Sequence, residues 1–424
     1  MTTAPPPPSP AGRAASSAAP LDVRSEGIDL TGGLRRRLPT SAGALAWVHD
    51  GEGLVGWGEV ARLEVRGPGR FAQAQRWWRE QLEAFTVYDD VGAVGSGPVA
   101  FGSFAFADDS TEPSVMVVPE VVLGRRDGQA WLTTFGTPPR LSSPQPVSPP
   151  SLLRYAHGEA SVTAYRAAVA EAVRRITAGD VAKVVLAHDL VALAEGPIDA
   201  RFVLTGLAGR YPDCWTFAVD GLVGATPELL LALQDGQLTS LVLAGTTGRG
   251  GDEADDQRLH EELLRSSKNL EEHRYALDSL TQALQPLTTS MTTSPSPYLL
   301  ELSNVVHLAT AVSGTVAGGR DALDLVAAVN PSAAVGGTPT PVAVRMLREL
   351  EGFDRGRYAG PVGWIDARGQ GEWGIALRCG LLEGNAARLF AGCGIVAESD
   401  PDDEVAEPQS KFVPMRDALE GVRD

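Results

Sequence analysis

The second half of this chain alternates between helical periodicity and paired apolar runs split by glycine turns, and that alternation constrains its fold most. Ser161 to Ala178 reads as a helix, with Ser161 at its N-cap and Tyr165, Val169, Val173 and Ile176 at helical spacing. A strand at 181–193 follows, then a helix at 199–210, strands at 215–233 and 238–244, and a long helix from about Asp252 to Leu284. Further strands are expected at 305–316, 360–367, 371–381 and 387–397. Turns such as Ala367-Arg368-Gly369-Gln370-Gly371 favour antiparallel pairing of their flanking runs. Helices mixed with mainly antiparallel strands make an α+β class.

The first half is plainer. Residues 1–20 are rich in Pro, Ala and Ser and read as a disordered tail, with prolines where a signal peptide would need an apolar stretch. Between Leu21 and about Thr137, short apolar segments separated by glycines read as strands; Gly43 to Val48 and Ser114 to Val118 are two of them. One helix is predicted over Arg70 to Phe85, with Trp77, Trp78, Leu82 and Phe85 along one side. Residues 138–150 are proline-rich and mark a surface excursion or linker. With 424 residues, 43% of them hydrophobic, the chain can bury one large core, and a single domain over 21–420 is expected.

A net charge of −17 argues against nucleic acid and against an anionic membrane surface, since both need clustered Lys and Arg. No apolar run is long enough to span a membrane. Three scattered cysteines, Cys214, Cys379 and Cys393, offer no CxxC spacing, so neither a zinc site nor a disulfide framework is indicated. A reducing cytoplasm fits that usage.

Four segments stand out chemically. Lys183 interrupts the apolar run Val181 to Ala187; it is either an outward-facing strand lysine or a desolvated amine able to take a proton from water. Glu228 opens the run Leu229 to Leu233, and is either a solvated strand-edge carboxylate or an acid kept protonated by apolar neighbours. Lys268 and Glu272 lie four apart on the long helix, opposite a stripe of Leu263, Leu270, Leu277 and Leu284; an exposed ion pair is the plain reading. Glu404, Glu407 and Lys411 share a face if the segment after Asp400-Pro401 is helical, although Pro408 predicts a kink beyond its first turn. Spaced carboxylates with nearby lysines can form a Mg²⁺ site facing an anionic substrate.

Taken in order, the motifs resemble those of the chorismate-utilising enzymes, and the isochorismate synthases most of all. The resemblance rests on Lys183 to Ala187, Gly224-Ala225-Thr226-Pro227-Glu228-Leu229-Leu230, Leu243 to Thr246, Lys268 to His273, His307-Leu308, Gly363-Trp364, Gly371-Glu372-Trp373, Arg378-Cys379, Ala391 to Val396 and Glu404 to Lys411. It covers about residues 155 to 415. It implies two stacked, mainly antiparallel sheets flanked by helices, as in anthranilate synthase component I, with a site between the sheets. It also implies Mg²⁺ held by Glu272 and Glu407, with Glu404 on the ion or just behind it. The substrate's ring carboxylate would bind that metal near Lys411 and Lys268. Tyr358 and Arg378 would hold the enolpyruvyl carboxylate, Gly245, Thr246 and Gly394 would let backbone approach the ligand, and His307 would hydrogen-bond near the ring.

The implied reaction adds water at ring C2 of chorismate while the C4 hydroxyl departs. An uncharged Lys183 as base and a protonated Glu228 as acid are the opposite tunings this needs. Family members that use ammonia carry another residue at the Lys183 position and a glutaminase partner, so the lysine favours a hydroxylating enzyme without that subunit, and a monomer is expected. Salicylate synthases share the lysine but place a threonine where this chain has Ala334, which makes salicylate formation the runner-up. A chorismate-binding protein without catalysis comes third. Within the implied branch, siderophore and menaquinone formation are the expected uses of the product.

Overall fold

The computed structural model describes residues 20–137, 144–249, 252–302 and 305–421. The predicted tail, up to residue 19, and residues 138–143 of the proline-rich stretch lie outside them. The apolar runs pair into two sheets. The larger one runs, edge to edge, through Arg154–His157, Lys183–Leu193, Ala386–Ile395, Cys379–Glu383, Leu222–Thr226, Trp215–Val219, Leu45–His49, Glu52–Trp57, Val121–Arg126, Gln129–Phe135, Leu21–Gly27 and Phe85–Asp89. The smaller one runs through Thr288–Thr293, Val305–Val316, Gln237–Gly248, Leu229–Gln234, Gly371–Ile375, Pro361–Asp366, Val99–Ser103, Ser114–Val118 and Ala61–Val65. Among the described residues the pairing is antiparallel except between Leu21–Gly27 and Phe85–Asp89.

Strands from both halves of the sequence meet in each sheet: Leu45–His49 pairs with Trp215–Val219, and Val99–Ser103 with Pro361–Asp366. The facing surfaces bury Trp47, Phe101, Phe104, Phe217, Trp364 and Trp373 in one continuous cluster. Each such aromatic contributes on the order of 2–3 kcal/mol of transfer free energy, so this layer holds the sheets together.

The helices are α1 (Arg70–Glu83), α2 (Val162–Thr177), α3 (Ala200–Arg210), α4 (Glu253–Arg265), α5 (Ser267–Leu284), α6 (Ala322–Val329), α7 (Thr340–Glu351) and α8 (Asp403–Glu420). Ser161 caps α2 as expected, its hydroxyl accepting from the Ala164 amide. Helices α3 and α8 cover the outer face of the larger sheet through Val203, Leu204, Leu207, Phe412, Met415 and Leu419. None of the helices is long and apolar enough to cross a membrane, among the described residues.

Four expectations are corrected. The long helix 252–284 breaks at Ser266, whose extended backbone ends α4 and whose side chain caps α5 by accepting from the Asn269 amide. The break re-aims the buried face, which on α5 is His273, Ala276, Leu280 and Leu284, while Leu270 is 36% exposed. The single strand expected at 371–381 is two strands in different sheets. Helix α8 runs through Pro408; the carbonyl of Glu404 that loses an amide partner there accepts instead from the Cys393 thiol at 3.4 Å. Helices α6 and α7 carry no counterpart in the sequence reading.

Candidate active site

Two chain crossings between the sheets create the site. The strand Leu222–Thr226 lies in the larger sheet and Leu229–Gln234 in the smaller, so Pro227-Glu228 spans the gap. Gly371–Ile375 lies in the smaller sheet and Cys379–Glu383 in the larger, so Ala376-Leu377-Arg378 spans it in return. The crossings are tied together: the Ala225 amide donates to the Arg378 carbonyl, and the Ile375 amide to the Glu228 carbonyl. Arg378 sits at a φ of +46°, a left-handed backbone position that lets the chain turn between layers. Glu228, Arg378 and Pro227 therefore line one cleft.

Most of the predicted site residues line the same cleft: Glu228, Gly245, Thr246, Glu272, His307, Ala334, Tyr358, Arg378, Gly394 and Lys411. Lys183 lies at its margin, 1% exposed, with Nζ donating to Glu272 Oε1 at 2.7 Å. The outward-facing reading of this lysine is thereby excluded. The buried alternative holds, but the lysine's partner is a carboxylate, so the group stands in this structure as half of an ion pair. Glu272 and Lys268 are not each other's partners either; Lys268 Nζ lies 3.8 Å from Glu404 Oε1.

Burial opposes ionisation of Glu272, yet Lys183, with Lys411 and Lys268 behind it, outweighs burial and holds its carboxyl below the ordinary value. Glu228 is tuned the other way. It is 6% exposed, and burial, opposed by Lys183, pushes its carboxyl up to about 8. Near neutral pH it is an acid carrying its proton.

His307 is a neutral imidazole. Burial, helped by Arg378 and Lys411, brings its pKa down to about 3. One ring nitrogen, Nδ1, bonds Thr246 Oγ1 at 2.9 Å, and Nε2 is buried without a partner. Thr246 follows a bulge in the pairing of Gln237–Gly248 with Val305–Val316. Gly245 holds that bulge at a φ of +78°, and a Cβ there would lie 3.1 Å from both Asn269 and Leu308. His273 fastens α5 to the same sheet, its Nδ1 donating to the Ala244 carbonyl and its Nε2 meeting Thr310 Oγ1 at 2.7 Å.

At the other wall, Tyr358 stacks on Phe390 with ring centroids 5.0 Å apart. Its phenol is raised by burial and stays protonated. Burial lowers Arg378, and no carboxylate lies within ion-pair distance of it among the described residues. A positive fork without an anion in a cleft of this kind is suited to a ligand carboxylate. Gly394 faces the Lys183–Glu272 pair so closely that a Cβ would lie 2.8 Å from Glu272 Oε1.

The carboxylates of α8 divide. Glu404 is buried, its Oε2 has no hydrogen-bond partner, and burial raises its carboxyl. Glu407 is 43% exposed and accepts from Lys411 Nζ at 2.6 Å, while the same Nζ donates to the Gly392 carbonyl. Ligand atoms of Glu404, Glu407 and Cys393 all lie within 4.8 Å of one another; Glu272 is outside that cluster. Two oxygen ligands and an orphaned buried oxygen fit a hard divalent cation. Cys393, whose thiol burial keeps protonated, does not add to such a site.

The sequence reading missed the buried pair behind the cleft. Arg355 binds Glu351 and donates to the Val185 and Val335 carbonyls, and Glu351 accepts from the Ala187 amide at 2.8 Å. These contacts lock the Lys183 strand to the loop bearing Ala334. The i,i+4 spacing of Glu351 and Arg355 was the available signal, but it is visible only once α7 is recognised.

The chain matches the family described as chorismate binding enzyme over residues 46–137 and 138–420. It is 33% identical over 410 residues to the isochorismate synthase MenF of Bacillus subtilis, covering 87% of this chain and 86% of that protein. To the isochorismate synthase EntC of Escherichia coli K12 it is 32% identical over 343 residues, covering 79% and 85%. The solved structure of MenF, the menaquinone-specific isochorismate synthase from Escherichia coli, superposes with a TM-score of 0.79 at 26% identity, covering 95% of each chain. With sequence, fold and cleft in agreement over most of its length, this chain belongs to the chorismate-binding enzyme family.

Proposed function

We infer that the chain is an isochorismate synthase, an isomerase that converts chorismate to isochorismate. The observation that carries this reading is the placement of two groups together: Glu228 holds its proton near neutral pH, and the buried amine of Lys183 lies close enough to oppose that shift. Lys183 takes a proton from the attacking water, which bonds to ring C2. Both ring double bonds shift along the ring, and the C4 hydroxyl leaves with the Glu228 proton as water. One water enters and one departs, so the product is an isomer. Lys183 can act only once the proton it holds against Glu272 has left, and the two proton changes must reverse before the next cycle.

Chorismate is a dianion, and Arg378, Lys411 and Lys268 supply local positive charge within a chain of net charge −17. Arg378 and Tyr358 bind the enolpyruvyl carboxylate, with the planar guanidinium matching its two oxygens. His307 presents Nε2 to the ring region, and Gly245, Thr246, Ala334 and Gly394 keep the walls close. Glu404 and Glu407 lie close enough together to hold Mg²⁺, and Glu272 would join them by leaving Lys183; such an ion would orient the ring carboxylate and withdraw charge from it. The enzyme works without a glutaminase subunit, as a monomer, and its three unpaired, buried cysteines suit a cytoplasmic setting.

Incubating the protein with chorismate and Mg²⁺ and separating the products by chromatography tests the reading. A mixture of chorismate and isochorismate is expected. Pyruvate appearing in step with chorismate loss would indicate a salicylate synthase instead, and no turnover at all would overturn the assignment.

The pH dependence follows from Glu228. A carboxyl that must donate a proton works below its pKa, so kcat/KM should fall with unit slope as pH rises through about 8. In Glu228→Gln that alkaline limb should vanish along with most of the rate. Initial rates between pH 6 and pH 10, on the order of ten points, suffice to see it.

A further inference from the structure

The cluster on α8 contains a group that a magnesium site does not use. Along Ala386–Ile395, Gly392 and Gly394 face the cleft, whereas Cys393 points the other way. There its Sγ meets Tyr165 Oη of α2 at 2.9 Å and the Glu404 carbonyl of α8. Its sulfur and one carboxylate oxygen each from Glu404 and Glu407 are mutually within 4.8 Å, a spread that allows one ion to touch all three. Glu404 Oε2 is buried there with no partner. Glu407, 43% exposed, leaves the cluster open to solvent on one side. The other charged groups at hand are Lys411 on Glu407 and Lys268, 3.8 Å from Glu404.

We propose that Cys393, Glu404 and Glu407 form a binding site for a thiophilic divalent cation, Zn²⁺ or Cd²⁺, which competes with Mg²⁺ for the two carboxylates. Oxygen ligands alone give a hard ion and a soft ion little to choose between, whereas a thiolate rewards only the soft one. The ion bonds to sulfur, the thiol proton leaves to solvent, and Cys393 gives up its contacts with Tyr165 and the Glu404 carbonyl. A tetrahedral ion then has three protein ligands and one open position. The site rests on these three residues and stands whether or not the chain turns over chorismate.

Titration of the full chain with Cd²⁺, followed by thiolate-to-metal charge-transfer absorption in the ultraviolet, tests this. One equivalent per chain should develop the band, Cys393→Ser and Cys393→Ala should abolish it, and Cd²⁺ affinity should fall by about 100-fold in both. X-ray absorption at the zinc edge of the wild-type protein provides a readout free of any variant: one sulfur at about 2.3 Å beside oxygens at about 2.0–2.2 Å is expected. No band in the wild type, a band that survives in both variants, or a zinc shell of light atoms only would each overturn the proposal. Excess Mg²⁺ should bleach the band in the wild type. A band that Mg²⁺ leaves intact would support the thiolate site while counting against Glu404 and Glu407 as the magnesium carboxylates.

Discussion

Lys183→Ala is expected to lower kcat on chorismate by about 10³–10⁴-fold, the range lost when a positioned general base is removed. Water is a weak nucleophile, and no other amine approaches the Lys183 position: Lys411 is held between Glu407 and the Gly392 carbonyl, and Lys268 lies by Glu404. Substrate affinity should change little, because Arg378, Tyr358 and His307 are untouched. The substitution also strands Glu272 without its cation, and breaking a buried pair costs on the order of 3 kcal/mol. Stability and catalysis can be separated with Lys183→Ala combined with Glu272→Gln, which leaves no unpaired charge. If the double variant melts like the wild type and fails to turn over at an Mg²⁺ concentration at which Glu272→Gln alone is active, the loss is chemical. If Lys183→Ala alone keeps full activity, the base is elsewhere.

Glu272→Gln should raise the Mg²⁺ concentration needed for half-maximal activity by about 10–100-fold. A neutral amide keeps the shape of the side chain but removes the charge that faces Lys183, Lys411 and Lys268. The expected signature is a shift in metal dependence with substrate KM moving less. Glu272 also fixes Lys183 Nζ at 2.7 Å, so an alternative outcome is informative. A fall in kcat at saturating Mg²⁺, with the metal requirement unchanged, would make Glu272 a positioning residue for the lysine and leave the ion to Glu404 and Glu407.

Much of the framework was legible in the sequence because its signals are local. The helical spacing of Tyr165, Val169 and Ile176 with Ser161 before them is a property of one segment, and α2 forms where it predicts. The glycine turn before Gly371 likewise closes a hairpin between Pro361–Asp366 and Gly371–Ile375. The run 371–381 failed for the opposite reason. Apart from Glu372 and Arg378 its residues are apolar or glycine, and apolar character does not distinguish one straight strand from two joined by a change of sheet. The long helix failed similarly: Ser266 breaks it, yet Ser266-Ser267 between two charged, helix-favouring stretches is a weak stop signal.

The site shows the same division. By itself the sequence determined which groups are available: an amine within an apolar run, an acid at the head of another, carboxylates at helical spacing and glycines where backbone must come close. It left Lys183 and Glu228 open between an exposed and a buried reading, since side chains alternate along a strand and apolar neighbours do not fix which way the residue between them points; the packed sheets bury both. Only the tertiary structure decided who meets whom. It set Lys183 against Glu272 instead of Lys268, brought Arg378 into the cleft at a crossing between sheets, and placed the Cys393 thiol beside Glu404 and Glu407. The pattern of near neighbours along the chain marks which segments can be buried, but which side chain turns inward and which partner it meets depend on distances between residues far apart in sequence, and these are fixed only when both sheets are packed.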